Sequence, residues 1–334
     1  MTSPASLSPP PGTQLIKHGI ILPRGPVDAW DGGMVESPVV WFDKSRQRYG
    51  MVYTGYTWAD PSTPGYPAMG KPQVGLAWSD DLLHWEKDPR NPIFGPTGRS
   101  GDPDSHGTPG PFIWHEHGLY YLYYFGTTAT GYEKGTKTLN LAISPDLVTW
   151  TRYTGNPIIT PHGSGWRTEA IWHPNIVKVG GTYYLFFNTS GVVDGNHEEF
   201  IGYATSTDLF TWTVDDENSP ILVGSGTPGA WDATGRAGDP SVFKVGHTWY
   251  MAYYSWDGTN TQDGLAWTTE ADFPLGWRPY EDNPVLPLGE PGSFDALHAG
   301  KPFIFRTPER HFHFYTAVDD DETREIAVAT EPIG

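Results

Sequence analysis

Apolar and polar positions alternate along most of the chain, and the alternation recurs. Five stretches each hold two apolar-rich runs around a short turn: "PVVWFDKSRQRYGMVYTG" from Pro38, "PFIWHEHGLYYLYYFG" from Pro111, "PNIVKVGGTYYLFFN" from Pro174, "PSVFKVGHTWYMAYY" from Pro240 and "PFIFRTPERHFHFYTA" from Pro302. Period-2 runs of this length, rich in aromatic and β-branched residues, predict β-hairpins. Behind the first four hairpins comes a third run ending in Trp, namely "GLAWSDDLLHW", "NLAISPDLVTW", "GYATSTDLFTW" and "GLAWTTEADFPLGW". A short apolar run follows each, "NPIFGP", "NPIITP", "SPILVG" and "NPVLPL". Each unit therefore predicts four strands, at roughly 65 residues between equivalent Trp positions, the size of a propeller blade. The last unit stops at "IAVATEPIG" without a fourth strand, and "HGIILPRGP" near the N-terminus matches the missing piece. The expectation is an all-β, single-domain five-bladed β-propeller over 1–334 with four-stranded blades, its ring closed by an N-terminal strand that completes the last blade, and with a flexible 1–12. Closure of this kind removes an open sheet edge.

Composition narrows the partners. The chain has 334 residues, 15 Trp, 40 Gly and 32 Pro, which suits many short strands and turns. Asp plus Glu number 39 against 21 Lys plus Arg, a net charge of −18. Such a balance disfavours nucleic acid and anionic membrane as partners. There is no Cys, so neither a disulfide framework nor a thiolate metal site is available. No apolar run reaches membrane-spanning length and no basic-then-apolar leader opens the chain, so the expected location is the cytoplasm.

The repeat separates framework from chemistry. Trp85, Trp150, Trp212 and Trp277 recur and read as packing residues, and Asp81, Asp146 and Asp208 as turn residues. Asp31, Asp104, Asp232 and Asp295 recur seven or eight residues before the hairpin Pro, with Arg167 in that place in the third unit; this too reads as structural. Between that position and the Pro, the units diverge. They offer Glu36; His106; Glu169, Trp172 and His173; Arg236 and Asp239; and His298 and Lys301. These segments lead into the innermost strands, so five unlike sets of polar groups converge at one mouth of the channel. Charges gathered there without a ligand would carry an uncompensated desolvation cost.

"GDPSVFKVGHTWYMAYYS" and "MVYTGY…QVGLAWSDDLLHWEKDPRNPIF" resemble blades of the five-bladed propeller glycoside hydrolases, the superfamily that includes families 43, 32, 62, 68 and 117. The resemblance spans almost the whole chain. It implies an O-glycosidase with carboxylates from different blades at the channel mouth, exo-acting on a furanoside such as an arabinofuranoside or fructofuranoside. Glycoside cleavage needs a protonated carboxyl on one side of the scissile bond and an ionised one on the other. On this resemblance Asp239, in an Asp-Pro like the family 43 base motif, is the leading base, Glu169 the general acid, and Glu36, in "ESP", the competing acid. Asp31, His106, Trp172, His173, Arg236, His298 and Lys301 are the candidate substrate-binding residues. The Asn-Asp-Pro-Asn-Gly of the invertase-like family is absent, and its Arg-Asp-Pro is loosened to Arg236-Ala-Gly-Asp239-Pro. The expected partner is an oligosaccharide or glycoside. No cofactor is called for; some relatives hold a Ca²⁺ in the channel, but the spacing here does not ask for one. The other readings of the same residues are a phosphorylase or transglycosylase on this fold and a non-catalytic carbohydrate-binding propeller. The segments 57–73 and 189–200 are insertions placed to wall the pocket.

Overall fold

A computed structural model of the protein describes residues 10–332 apart from 133, 164 and 194. The expected 1–12 tail falls mainly on residues outside that range. The described residues contain strands and no helix. After β1 (Ile16–Leu22), the chain builds a meander of β2 (Met34–Asp43), β3 (Arg48–Trp58), β4 (Met69–Ser79) and β5 (Glu86–Lys87). It repeats this with β6 (Phe112–Glu116), β7 (Leu119–Thr127), β8 (Lys137–Ser144) and β9 (Thr151–Arg152), and with β10 (Ala170–Val179), β11 (Thr182–Val193), β12 (Asn196–Ser206) and β13 (Thr213–Val214). The fourth meander is β14 (Gly238–Val245), β15 (Thr248–Trp256), β16 (Thr261–Thr269) and β17 (Arg278–Pro279). The fifth has only β18 (His298–Arg306), β19 (His311–Val318) and β20 (Arg324–Thr330), and β1 pairs antiparallel with β20, Ile16 opposite Thr330 and Leu22 opposite Ile326. All pairings within the meanders are antiparallel, and one parallel bridge, Thr261 to His298, joins the fourth to the fifth.

Local chemistry repeats with the strands. Asp81 Oδ1 accepts from the amides of Leu83 and His84, Asp146 from Val148 and Thr149, and Asp208 from Phe210 and Thr211. These Asx turns hold Leu82, Leu147 and Leu209 at φ of 69°, 68° and 70°, with their side chains buried. The recurring Asp near each first strand is framework. Asp31 meets Lys87 of β5 at 2.6 Å, Asp104 meets Arg152 of β9 at 2.6 Å, and Asp295 meets Lys17 of β1 at 2.6 Å. The third sheet reverses the sign, with Arg167 paired to Asp216 just beyond β13 at 2.6 Å. The second strand follows this exchange. Tyr124 and Tyr315 donate their hydroxyls to Asp104 and Asp295 at 2.9 Å, while the third sheet, with Arg167 there, has Phe187 in place of the tyrosine. With Arg167 in the acid's place, a tyrosine hydroxyl there would have no carboxylate to donate to.

Apolar clusters run from each sheet to the next, so the core lies between faces rather than inside any one sheet. The first strands β2, β6, β10, β14 and β18 touch in cyclic order. Side-chain clips tie neighbours: Asn175 Oδ1 accepts from Val242 N at 3.0 Å, and Ser241 Oγ from Ile304 N at 2.9 Å.

Candidate active site

Four of the five first strands break their register around the hairpin Pro, between Glu36 and Val39, Trp172 and Asn175, Gly238 and Ser241, and Gly300 and Phe303. In all five units the residue before the hairpin Pro takes positive φ: Ser37 56°, Gly110 60°, His173 38°, Asp239 49° and Lys301 61°. Four of the five carry a Cβ, which costs of order 1–3 kcal/mol each in this region. The bulges turn Ser37, His173, Asp239 and Lys301 onto a common narrow channel lined by the five hairpin prolines.

Lys301 organises the group. Its Nζ lies 3.4 Å from Asp239 Oδ2, 3.3 Å from His173 Nε2 and 4.0 Å from Glu36 Oε2, joining residues of four sheets. His173 Nε2 is also 3.6 Å from Asp239 Oδ1. The Glu36, Asp239 and Lys301 side chains are only 2%, 6% and 15% exposed, so the charges face one another rather than water.

Above this cluster opens a cavity of about 310 Å³ lined by side chains of several sheets. Glu199, Arg236, Tyr254, Trp256, His298 and Lys301 form one side of it. Tyr66, Tyr132 and Arg324 form another, with the Arg324 guanidinium 4.5 Å over Tyr66 and 5.5 Å over Tyr132. Arg236 stacks 4.8 Å over Trp256. Its Nε lies 3.1 Å from Glu198 Oε2 and its Nη1 3.4 Å from Glu199 Oε1. Burial opposes the Arg236 charge, but the Glu199 and Glu198 carboxylates more than offset it, so the guanidinium stays protonated.

Tyr254 links the cavity to the channel. Its ring lies where a Cβ on Gly238 would stand, 2.4 Å from that position, so only glycine fits beside Asp239 there. Burial, then Glu199 and Asp239, push its phenol well above the ordinary value. The protonated hydroxyl donates to Glu199 Oε2 at 2.5 Å, and Asn188 Nδ2 donates to the same oxygen at 3.0 Å. Two carboxylates from different sheets, Glu199 by a hydrogen bond and Asp239 through its field, thus act on one buried tyrosine. His298 accepts from Thr261 N through Nδ1 at 3.1 Å, and burial, helped by Arg324, lowers its pKa to about 4, so it is neutral.

The sequence-derived candidates divide accordingly. Glu36, His173, Asp239 and Lys301 meet at the channel, and Arg236, His298 and Lys301 line the cavity. Four others lie elsewhere. Glu169 is exposed on the segment before β10, with Ser190 Oγ 3.4 Å from its Oε2. Trp172 packs with Phe125 and Ala170. Ser105 Oγ and His106 Nδ1 are 3.0 Å apart, outside the cavity. Asp31 is taken up by Lys87. Glu199, on the third strand of the same sheet as Glu169, supplies the carboxylate that sequence reasoning missed; Ser190, its partner across β11 and β12, also accepts the Glu169 backbone amide. Among the described residues, no group of three His, Asp or Glu side chains is arranged to hold a metal ion.

No family model matches the chain. Among solved structures it is similar to a complex of BT0996 with RGII, at TM-score 0.76 and 22% identity over 95% of this chain and 92% of that one. It is similar to another named "Glycoside hydrolase", at TM-score 0.77 and 21% identity over 95% and 92%. A thermostable family-43 glycoside hydrolase matches at TM-score 0.63 and 17% identity over 88% of each chain. The chain shares its all-β fold with glycoside hydrolases.

Proposed function

We propose that the protein is a glycoside hydrolase on a five-bladed β-propeller, closed by β1 against β20, that removes a terminal sugar in the cavity above Lys301. The observation that carries this reading is that Glu199 and Asp239, from different sheets, both act on the one buried Tyr254. Glu199 lines the cavity wall and is the carboxyl placed at the departing glycosidic oxygen, to which it gives a proton when it enters the reaction protonated. Asp239, beside the Lys301 ammonium, is the ionised partner that faces the positive charge developing on the sugar ring. Glu36 shares Lys301 with Asp239 and helps fix that ammonium. Trp256, Tyr66 and Tyr132 offer flat apolar surface for a sugar face, and the cavity volume, near the lower end for small-ligand sites, suits one terminal residue better than a long chain.

The test is a panel of aryl furanosides and pyranosides, with and without phosphate, run on wild type, Glu199→Gln, Asp239→Asn and Glu169→Gln. Furanosides come first because the blade resemblance points to them. Glu199→Gln and Asp239→Asn lose about 10²–10⁴-fold in kcat, the usual scale for acid–base groups, while Glu169→Gln stays within a few-fold. Retained turnover in both Glu199→Gln and Asp239→Asn would sink the assignment. Phosphate-dependent turnover would make the enzyme a phosphorylase, and sugar binding that survives both substitutions without turnover would make it a binding module.

A further inference from the structure

One inter-sheet contact is repeated around the molecule. Strand pairing places Gly75 opposite Tyr53, Asn140 opposite Tyr124, Gly202 opposite Phe187, Gly264 opposite Tyr253 and Ala327 opposite Tyr315. One residue earlier on the third strands stand Val74, Leu139, Ile201, Asp263 and Ile326; two residues before the aromatics stand Met51, Leu122, Leu185, Met251 and His313. Four times the third-strand residue shares an apolar cluster with the second-strand residue of the next sheet: Val74 with Leu122, Leu139 with Leu185, Ile201 with Met251, and Ile326 with Met51. The fifth contact is a hydrogen bond of 2.9 Å between His313 Nε2 and Asp263 Oδ2, with side chains 1% and 0% exposed.

Apolar side chains fill these positions at the other four sheet boundaries, within shared clusters, so the polar pair is not demanded by the fold. Burying it is costly, the more so because Asp263 Oδ1 meets no hydrogen-bond partner among the described residues. Its location gives it a use. It joins the sheet that carries Asp239 to the sheet that carries Lys301. Gly238, Tyr254 and Asp263 lie in one row across β14, β15 and β16, with the Tyr254 ring against Gly238, and the row ends at His313 of β19.

We propose that the Asp263–His313 pair positions Asp239 against Lys301, its hydrogen bond of fixed length and direction holding the fourth sheet in register with the fifth where an apolar contact would slide. The catalytic meaning rests on the reading of Asp239 given above. Burial, then the field of Asp239, raises the Asp263 carboxyl well above its ordinary range against the opposing pull of Lys17, and burial lowers His313 to about 3. Tyr315, also within reach of Asp263, stays protonated. Both shifts favour the uncharged forms, and one proton bridges Asp263 Oδ2 and His313 Nε2.

The experiment compares wild type, Asp263→Asn, and the double variant Asp263→Ile with His313→Met, which copies Ile201 and Met251. Two readouts are taken: ¹⁵N NMR titration of the His173 ring, which lies beside both Asp239 and Lys301, and kcat with KM on the best substrate of the panel. The double variant folds with a Tm at or above wild type, shifts the His173 titration by about half a pH unit or more, and loses about tenfold or more in kcat at little-changed KM. Asp263→Asn, whose amide can either donate to or accept from His313 Nε2, matches wild type in both. A double variant that matches wild type, one that fails to fold, or an Asp263→Asn as impaired as the double would each overturn the proposal. If wild type turns over no glycoside, the His173 titration alone decides, so failure of the glycosidase reading is seen separately.

Discussion

Replacing Lys301 by Met removes the ammonium that lies 3.4 Å from Asp239 and 4.0 Å from Glu36. At an effective dielectric near 20 each contact is worth a gross attraction of about 4–5 kcal/mol. The cost of taking the ammonium out of water offsets part of this, which leaves a net loss of about 3–5 kcal/mol, the scale for breaking a buried pair. The loss depends on pH in a fixed sense. In the variant, two carboxylates without their cation hold protons more readily in the native state than in the unfolded chain, so unfolding free energy falls as pH rises. Urea unfolding followed by Trp fluorescence, with linear extrapolation, measures this at about pH 7.5 and about pH 4. The deficit is large at the higher pH and shrinks at the lower one. A variant as stable as wild type at neutral pH, or one with the same deficit at both, would show that Lys301 does not carry the charge balance of the channel.

Tyr124→Phe gives up one hydrogen bond to the Asp104 carboxylate and destabilises the protein by about 1–3 kcal/mol, whereas Phe187→Tyr, whose phenol oxygen can accept from the Arg167 guanidinium, changes stability by less than about 1 kcal/mol; thermal melts of the two variants check the order. A folded-state pKa near 4 for His298 means that the unfolded chain takes up the proton first as pH falls from about 6.5, so wild-type stability drops across that window. His298→Asn, whose Oδ1 replaces Nδ1 as acceptor for Thr261 N, flattens that acid limb in the same denaturation assay. An unchanged limb would remove His298 from the titrating set.

Much of the strand plan was legible in the chain because it is local. Period-2 runs, Asx turns at Asp81, Asp146 and Asp208, and the match between the N-terminal run and the missing fourth strand of the last unit each need only neighbouring residues. The expectation that β1 completes the last sheet corresponds to the observed pairing of Ile16–Leu22 with β20. The stretch before each hairpin Pro also drew attention to Glu36, His173, Asp239 and Lys301, since those slots differ between units that otherwise agree. Glu169 and Glu199 show where this fails. Both belong to the third unit and both flank Ser190, but one lies in a segment ahead of its strand and the other on the third strand of a long hairpin. The 189–200 insertion signalled a pocket wall; which of Glu198 and Glu199 faces the cavity is set by register across β11 and β12, which composition does not encode. Tyr254 was legible in principle, because its slot holds Thr54, Phe125, Asn188, Tyr254 and Thr316, as varied as the pre-Pro slots.

Sequence alone thus determined the repeat, its strand content and the recurring Asp framework, through interactions between residues close in the chain. Tertiary structure decided which charges meet. The bulges that force Asp239 and Lys301 to positive φ turn their side chains onto one axis, and packing of the fourth sheet against the fifth brings residues 62 positions apart within 3.4 Å. Those distances follow from how whole sheets pack around a common axis, and no single repeat contains the information that sets them.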